Sequence, residues 1–458
     1  MPSMPERSAG GSGQFHLNLS LWTPGQLRTS WRLPGRDPLA YLDVENYRRL
    51  VRIVQEARVD AVLLGDSPSL GSVAGSPPQG LDPPMLFANL AAGTAGIGFV
   101  ATSSSTYNHP YNLARRYLSF DHLTGGRGAV NVVTSFAPDA AANFGLEQPP
   151  AKEERYRRAN EFLEVVTRLW DAWDADAVIA DRASGRWGDP AKVHAIDYHG
   201  EFFDVRGPLS IPPSPQGRPV IVQAGGSEGG LGLAGRFADA VFTVAQTKDR
   251  AVSFRNEIRR RAASAGRHPD SVKISLGVVV ITDETDSKAR GREQELYETI
   301  PIEAAAAMLG RQLGIDPGKV GPDVVIDPAD LPPGPTGAGP EGFQISTRAL
   351  LAAAPLTARQ LIYRSAGGGG HRLVVGAPEQ IADDLEAWFL AGAADGFTVM
   401  PADTAADFEN FARYVVPILQ CRGLFHDDYP GPTLRENYGL PWPGQVARPA
   451  LTNGARHA

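Results

Sequence analysis

Short apolar runs alternate along this chain with longer segments whose apolar residues recur at helical spacing. Such runs predict buried strands, and their alternation with helices predicts a parallel sheet. The runs that qualify are Phe15–Leu19, Asp60–Leu64, Ile97–Ala101, Ala129–Val133, Val220–Gln223, Ala240–Thr243, Lys273–Ile281 and Phe397–Met400. The clearest helical periods span Val44–Arg58, Arg155–Trp173 and Glu379–Ala391. Eight strands in a chain of 458 residues predict an α/β fold whose sheet closes into a (β/α)8 TIM barrel.

The stretch from His109 to Phe136 predicts a helix, a glycine turn and a strand that ends in polar residues. Helical spacing covers Tyr111–His122, and the glycines of residues 124–128 break the helix. The apolar run that follows is rich in β-branched residues, and Thr134 and Ser135 come where it stops. Ligands of α/β proteins sit at this end of the strands, so these two hydroxyls are candidate ligand contacts.

Two connections are too long to be plain crossovers. Residues 136–218 follow the fourth strand and residues 282–392 follow the seventh, so both predict insertions in the barrel. The second contains a span dense in Pro and Gly, 316–342, and then the tetraglycine Gly367–Gly370. Glycines supply hinge freedom, so we favour a mobile lid over a passive insertion.

The rest of the chain predicts a single barrel domain over residues 15–445. Residues 1–14 are expected to be a flexible N-terminal segment and residues 446–458 a flexible C-terminal tail. The N-terminal segment is polar and rich in Gly and Ser, so it does not resemble an export signal. The longest apolar run, Ile274–Ile281, is far too short to span a bilayer.

Charge and cysteine content narrow the functional classes. The net charge is -7 and the pI is about 5.8, which argues against nucleic acid or an anionic membrane as a partner. One cysteine is present, so no intrachain disulfide can form and a cytoplasmic location fits best. That residue, Cys421, lies in an apolar segment, and we expect it to pack rather than to act as a nucleophile.

Polar residues follow the second and third predicted strands. Asp66 comes directly after one of them and could accept a hydrogen bond from a ligand, although Asp before Ser-Pro is also a common loop cap. The hydroxyl residues Thr102–Thr106 follow the next strand. They could line a polar ring or a phosphate, whereas an ordinary polar loop is the simpler interpretation.

A glycine turn follows the fifth predicted strand. Residues 223–229 read QAGGSEG, and the helical segment Leu231–Ala238 comes next. Backbone N–H groups at such a helix start can hold a phosphate, to which Ser227 could add its hydroxyl; a tight strand-to-helix link is the alternative. Tyr156, near the start of another predicted helix, could stack on a ligand or simply be core.

The usual hydrolytic and metal sites are not indicated. Metal-ligand spacing is absent among the histidines His16, His109, His122 and His199. No Gly-x-Ser-x-Gly sequence occurs either. Candidate positions rich in hydroxyls, amides and glycines but poor in acid–base groups suggest that a cofactor carries the chemistry.

Five stretches together resemble the bacterial luciferase-like flavin monooxygenases. The resemblance is to the branch that contains the nitrilotriacetate, EDTA, dibenzothiophene-sulfone and pristinamycin monooxygenases. The stretches are HPYNLARRYLSFDHLTGGRGAVNVVTS (109–135), ERYRRANEFLEVVTRLW (154–170), YHGEFFDVRGPLSIPPSPQGRPVIVQAGGSEGG (198–230), GAPEQIADDLEAWFLAGAADGFTVMP (376–401) and LQCRGLFHDDYPGPTLRENYGL (419–440). Their order along the chain makes the resemblance specific.

The resemblance implies a barrel that binds reduced FMN supplied by a separate NAD(P)H:flavin reductase. It also implies that O2 is a co-substrate, that one oxygen atom enters a small organic substrate, and that the protein is a homodimer or homotetramer. The cofactor-binding residues that it implies are Asp66, Thr102, Asn131, Thr134, Ser135, Lys152, Tyr156, Gly226 and Ser227. Gln26 and Asn131 are the candidates for a catalytic role.

Two positions depart from the family pattern. Lys152 stands where the family has a histidine four residues before the tyrosine, and lysine still offers a cation to a phosphate. Gln26 and Leu27 stand where the family has two histidines near the substrate, and neither can titrate. Two alternatives therefore stay open: an F420-dependent oxidoreductase of the same superfamily, and a flavin-binding barrel without catalysis.

Overall fold

A closed ring of eight parallel strands forms the centre of the protein. The computed structural model describes residues 13–70, 73–334, 341–365 and 370–443. The barrel strands are β1 His16–Ser20, β2 Ala61–Leu64, β3 Gly98–Ser104, β4 Gly128–Val133, β5 Val220–Ala224, β6 Ala240–Thr243, β7 Lys273–Thr282 and β8 Gly396–Pro401. Each strand pairs with the next, while β1 also pairs with β8, which closes the ring. The predicted (β/α)8 barrel is confirmed.

Helices surround the ring and cover its outer face. They are α1 Val44–Glu56, α2 Pro83–Ala91, α3 Pro110–Leu123, α4 Pro138–Ala142, α5 Lys152–Trp170, α6 Glu228–Phe237, α7 Lys248–Ser264, α8 Asp286–Glu298, α9 Ile302–Leu313, α10 Glu341–Ala353, α11 Ala358–Arg364, α12 Pro378–Leu390, α13 Thr404–Asn410, α14 Val416–Cys421 and α15 Leu434–Asn437. Short 3-10 turns occur at Ser30–Arg32, Pro190–Lys192, Pro269–Ser271, Pro317–Lys319 and Pro328–Asp330, and a π turn at Phe411–Val415. None of the described helices combines the length and apolarity needed to cross a bilayer.

The three helices predicted from periodicity form within three residues of the predicted ends. α1 shows why: Tyr47, Leu50, Val51 and Val54 make one buried stripe toward the barrel. The Asp43 carboxylate accepts the Glu45 N–H and fixes the start of the helix. The local pattern therefore gives both the existence and the orientation of this element.

The connection from β4 to β5 contains α4, α5 and two small antiparallel hairpins. The hairpin strands are Val178–Asp181 with Arg186–Gly188, and Tyr198–His199 with Asp204–Val205. Within this connection α5 packs along the barrel with Phe162, Val166 and Trp170 buried. The helix predicted at Arg155–Trp173 thus anchors the excursion, and the hairpins are largely exposed.

The connection from β7 to β8 has an apolar core of its own. Leu309, Leu313, Leu351, Leu361 and Ile362 are buried together there. A two-stranded hairpin, Val325–Ile326 with Leu356–Thr357, lies in the same connection. Part of the span predicted to be loose is therefore folded. Residues 366–369, which include most of the tetraglycine, lie outside the described residues, so the lid hypothesis stays a prediction.

A ninth strand joins the sheet beside the barrel, and the sequence pattern did not predict it. Arg372–Gly376 pairs in parallel with residues 278–282 of β7, beyond the point where β6 stops pairing. Most of this strand is only half-buried, and it begins with an arginine. It therefore lacks the continuous apolar run that marks the eight buried strands.

At the N-terminal end of the barrel, three aspartates repeat one arrangement. Each precedes an even-numbered strand, and its carboxylate accepts an N–H from the second residue of the preceding strand. The bonds run from Leu17 N to Asp60, from Ile221 N to Asp239 and from Ile274 N to Asp395, at 2.8, 3.0 and 2.9 Å. Because each pairing satisfies a backbone donor at a strand start, it fixes the register of neighbouring strands.

The end of the described chain closes this same face of the barrel. Leu434, Tyr438 and Leu440 pack against interior residues of β2 to β6. Arg435, 3% exposed, donates to the Asp239 carboxylate at 3.1 Å. An interior sealed at this end leaves the C-terminal ends of the strands as the mouth for a ligand.

The predicted packing role of Cys421 is wrong. Cys421 is the last residue of α14 and its thiol is exposed. The buried stripe of this helix is carried by Val416 and Leu419. Position 421 falls well away from that stripe at about 100° per residue, so the apolar surroundings in sequence do not translate into burial.

The domain boundaries proposed from the sequence stay predictions. Residues 1–12 and 444–458, which make up most of both predicted flexible segments, lie outside the described residues.

Candidate functional site

Thr102 lies inside the barrel rather than in a loop. β3 continues to Ser104, so the expectation that residues 102–104 form a polar loop is wrong. Val100 packs in the barrel interior, and side chains two residues apart share a face. Thr102 therefore points into the barrel, where it is only 2% exposed.

Asn131 lies beside Thr102 on the neighbouring strand. The pair is in register between β3 and β4, and Asn131 Nδ2 donates to Thr102 Oγ1 at 3.0 Å. Asn131 Oδ1 is buried and has no hydrogen-bond partner. A buried carbonyl oxygen without a donor is unfavourable, so this atom marks a place where a ligand N–H would be stabilised.

Ser135 connects the end of β4 to β3. Its hydroxyl donates to Ser104 Oγ at 2.9 Å, and Ser104 faces the barrel interior like Thr102. Thr134, directly after the end of β4, is half-buried. The hydroxyls predicted from the end of this strand are thus close to the interior wall formed by β3.

Tyr156 and Ser227 meet although 71 residues separate them. Their hydroxyl oxygens are 2.7 Å apart, which joins the start of α5 to the start of α6. Ser227 is the N-cap of α6 and accepts the Gly230 N–H at 3.3 Å. The N-terminus of α6 carries partial positive charge, so the joined hydroxyls lie where an anion would be stabilised.

Two glycines of this turn are required by geometry, and neither was among the predicted site residues. Gly225 has φ +144, which side chains rarely adopt. A Cβ on Gly229 would lie 2.5 Å from the Tyr156 ring. Gly226, which was predicted, has only Phe254 near its Cβ position, at 3.8 Å. Sequence shows the glycines but not which of them touches the tyrosine.

Lys152 is the first residue of α5 and is exposed one helical turn before Tyr156. Residues four apart share a helix face, so the lysine lies on the side of α5 that carries Tyr156. Its position is therefore compatible with the phosphate role that the sequence suggests.

Asp66 lies two residues beyond the end of β2 and is half-buried. Burial raises the pKa of its carboxyl, and the negative charge of Asp82 raises it further, while the Ser67 N–H works in the opposite direction. A carboxyl in this environment favours a neighbouring hydrogen-bond donor or cation.

Gln26 lies on the side of the mouth formed by β1 and β8. Its backbone N–H donates to Pro401 O at 2.9 Å, and the Leu27 N–H donates to Ala402 O at 3.1 Å. These bonds hold the loop after β1 onto the end of β8. The side-chain Oε1 of Gln26 is buried and has no hydrogen-bond partner.

Further buried polar atoms without partners lie on the loops at the same mouth. They are Trp22 Nε1, Thr23 Oγ1, Arg28 Nε, Gln79 Oε1 and Tyr107 Oη. Their residues follow β1, β2 and β3, at the C-terminal ends of those strands. Native interiors rarely leave such groups unpaired, so their concentration here indicates a binding site. Whether such an atom finds a partner depends on how distant segments pack, which the local sequence does not show.

The chain matches the protein-family model "Luciferase-like monooxygenase" over residues 26–395. The chain belongs to this family. Nitrilotriacetate monooxygenase component A of Aminobacter aminovorans is 38% identical over 459 residues, covering 96% of this chain and 100% of the relative. The structure of EDTA monooxygenase from Chelativorans sp. BNC1 matches with a TM-score of 0.78 and 34% identity, over 93% of this chain and 99% of that one.

A second solved structure bears on the cofactor of this luciferase-like monooxygenase. It is a riboflavin lyase with modified FMN and riboflavin, and it matches with a TM-score of 0.80 and 31% identity. It covers 93% of this chain and 96% of that chain. Monooxygenase relatives of this identity, aligned over nearly the whole chain, show that the protein is a flavin-dependent monooxygenase.

The site residues of this luciferase-like monooxygenase fit a flavin mononucleotide. The Asn131 amide oxygen, buried without a donor, suits the N–H of a flavin ring. The turn after β5 offers hydroxyls and a helix N-terminus to a phosphate. Within the described residues, no group of three His, Cys, Asp or Glu side chains is arranged to hold a metal ion.

Replacing Tyr156 by phenylalanine is expected to weaken FMN binding about two- to twelvefold. The substitution removes the hydroxyl that contacts Ser227 but keeps the ring against Gly229, and a hydrogen bond of this kind is worth about 0.5–1.5 kcal/mol. Fluorescence titration of FMN measures the change. Tyr198→Phe makes the same change beside Arg168, at the other end of α5, and serves as the matched control. Equal FMN affinity of Tyr156→Phe and Tyr198→Phe would contradict the assignment.

Proposed function

We propose that the chain is the oxygenase component of a two-component monooxygenase that uses reduced FMN. A separate NAD(P)H:flavin reductase would supply the reduced cofactor, and O2 would be the co-substrate. When bound, reduced FMN supplies the chemistry that activates O2 and transfers one oxygen atom to a small organic substrate. The observation that carries the proposal is the set of buried polar atoms without partners at the mouth of the barrel.

The phosphate of FMN would be held at the turn between β5 and α6. Ser227 and Tyr156 would donate hydroxyl hydrogens, and Gly226 would contribute a backbone N–H at the start of α6. Lys152 lies one turn before Tyr156 on α5 and would add a positive charge. These groups would anchor an anion through hydroxyls, a backbone N–H and a cation, which matches a binding role.

The flavin ring would lie along the wall made by β3 and β4. Asn131 Oδ1 would accept a ring N–H, while Thr102 holds the other end of the same amide. Thr134 and Ser135 would add hydroxyls at the edge of this wall, and Asp66 a carboxyl beside β2. The bond between Asn131 and Thr102 fixes the amide before the ligand binds, so less conformational freedom is lost on binding.

An apolar cluster above the barrel interior would keep water from the reacting atoms. Leu27, Val279, Ile281 and Met400 are buried together at the ends of β7 and β8, with Phe242 packed against them. Exclusion of water protects a reactive flavin from the loss of its oxygen as peroxide. Gln26, on the same loop as Leu27, would face this region as a hydrogen-bonding group that cannot titrate.

The proposal is tested by reconstitution with reductase, FMN, NADH and O2. Nitrilotriacetate and EDTA, the compounds named for two relatives, are the first substrates to assay. We expect product only when all four components are present, with one atom of 18O2 in the product and the other in water. Turnover with NADH but without reductase would contradict the two-component arrangement, and so would oxidation that continues under anaerobic conditions.

Two alternatives predict different results in the same preparation. An F420-dependent oxidoreductase would bind F420 more tightly than FMN, which fluorescence titration with both cofactors measures. A flavin-binding barrel without catalysis would bind FMN but would not change the fate of O2. In that case mixing with O2 would give the same rate of flavin reoxidation and the same peroxide yield as free reduced FMN.

The homodimer or homotetramer and the cytoplasmic location stay predictions. Light scattering of the purified chain tests the first, and fractionation of the producing cells tests the second.

A further inference from the structure

Arg28 lies at the mouth of the barrel with its charge only partly compensated. It belongs to the loop that backbone bonds hold onto the end of β8. Its Nη2 donates to Pro77 O at 2.7 Å, and its guanidinium lies over the Trp22 ring, 5.3 Å from the centroid. Its Nε–H is buried and has no hydrogen-bond partner.

No carboxylate among the described residues lies within ion-pair distance of Arg28. Arg36, eight residues later, shows the contrast: it pairs with the buried Asp403 through Nε and Nη2. Burial lowers the pKa of Arg28, and no acidic group opposes this effect. A half-buried guanidinium without a counterion favours a ligand that supplies negative charge.

The indole of Trp22 carries a second buried donor that lacks an acceptor, in addition to Arg28 Nε. Trp22 Nε1 and Arg28 Nε carry hydrogens that cannot accept, and both lie without partners in the loop after β1. The unpaired hydrogens of Trp22 Nε1 and Arg28 Nε call for an acceptor, and the positive charge of Arg28 favours one that is negatively charged. Gln26 Oε1, in the same loop, would accept from a donor elsewhere on the ligand.

The position separates this group from the expected phosphate site. Ser227 and Tyr156 lie after β5 and before α5, whereas Trp22 and Arg28 follow β1 and adjoin β8. In the closed ring β1 pairs with β2 and β8, and β5 pairs with β4 and β6. The two anion-binding places are thus on opposite sides of the mouth, as a cofactor phosphate and a substrate would be.

We propose that Arg28, together with Trp22, binds an oxyanion of the substrate, a carboxylate or a sulfonate, so that the substrate is an organic acid. The inference rests on the proposed monooxygenase function and names its substrate class. Arginine suits this role because its planar fork matches the two oxygens of a carboxylate or sulfonate.

Binding of matched probes to the full-length protein tests the proposal without any turnover. Succinate is compared with dimethyl succinate, and methanesulfonate with dimethyl sulfone, by calorimetry with and without saturating FMN. We expect at least one anion to bind about tenfold or more tightly than its neutral partner. Arg28→Gln should abolish that preference, and Arg28→Lys should keep part of it. Arg52→Gln, at an exposed position of α1, should behave as wild type.

The outcomes separate failure of this inference from failure of the proposed function. Loss of FMN affinity in Arg28→Gln, with anion affinity unchanged, would overturn the inference because Arg28 would then bind the cofactor and not the substrate. Equal affinity of wild type for both members of each pair would also overturn it, whether or not FMN binds. Retained preference in a folded Arg28→Gln protein, judged by its melting temperature, would do the same. A preference for succinate would identify the oxyanion as a carboxylate, and a preference for methanesulfonate would identify it as a sulfonate.

Discussion

Asn131→Leu should lower the affinity for reduced FMN by about 5- to 150-fold, since a hydrogen bond lost from a buried site costs about 1–3 kcal/mol and 1.4 kcal/mol is tenfold. The substitution removes the buried Oδ1 that has no partner in the protein. It also removes the donor to Thr102 Oγ1, so the Thr102 hydroxyl loses its partner on β4. Anaerobic titration of reduced FMN measures the change.

The same variant is expected to lower kcat/KM by at least the same factor, because a displaced ring misorients the oxygen transfer. Asn112→Leu is the matched control: it makes the same change at an exposed position of α3. Melting temperatures of both variants show whether the fold is intact. Wild-type FMN affinity and turnover in a folded Asn131→Leu protein would show that Asn131 does not bind FMN.

Asp239→Ala is expected to lower the free energy of unfolding by about 3–5 kcal/mol, the usual cost of leaving a buried charge without its partner. The abandoned partner is Arg435, which is 3% exposed and bonds to Asp239 through both Nη atoms. The Ile221 N–H at the start of β5 loses its acceptor as well. Urea titration measures the loss. Asp323→Ala, which breaks an exposed pair with Arg359, should leave the unfolding midpoint near the wild-type value.

The effect of Asp239 should depend on pH in a definite direction. Burial acts to raise the pKa of its carboxyl, but Arg435, Arg218 and the Ile221 N–H together hold that pKa below the ordinary value. A depressed carboxyl pKa gives stability that is present above the unfolded pKa of about 3.9 and is lost as the pH falls through the folded value. The difference between wild type and Asp239→Ala should therefore be constant near neutral pH and shrink below about pH 4. A difference that grows in acid would refute this role.

The barrel followed from the sequence because its strands are buried on both faces. Runs such as Ala129–Val133 and Lys273–Ile281 are apolar without interruption, and few other structures accommodate them. The strand Arg372–Gly376 escaped prediction because it pairs at the margin of the sheet and stays half-exposed. The length of β3 was underestimated for a related reason. Residues 102–104 are polar yet point into or flank a site, and polarity by itself suggested a loop.

The candidate site was partly readable because some ligand-binding groups have local signals. The glycine turn with Ser227 follows an apolar strand and precedes a helix, and that order predicts an anion site. Lys152 and Asn131 entered through the family resemblance, whereas the position of Tyr156 near a predicted helix start left a ligand contact and a core role both open. Trp22 and Gln79 carry no such signal. They became candidates only when the structure showed their buried polar atoms without partners.

The sequence by itself determined the fold class, the family and the positions where strands deliver polar side chains to the mouth. These depend on periodicity and local order, which neighbouring residues carry. Only the tertiary structure decided which side chains meet, because the partners are far apart along the chain. Asn131 meets Thr102 across 29 residues, Tyr156 meets Ser227 across 71, and Arg435 meets Asp239 across 196. The uncompensated charge of Arg28 is likewise a property of the folded mouth, since it depends on which segments pack around it and which do not.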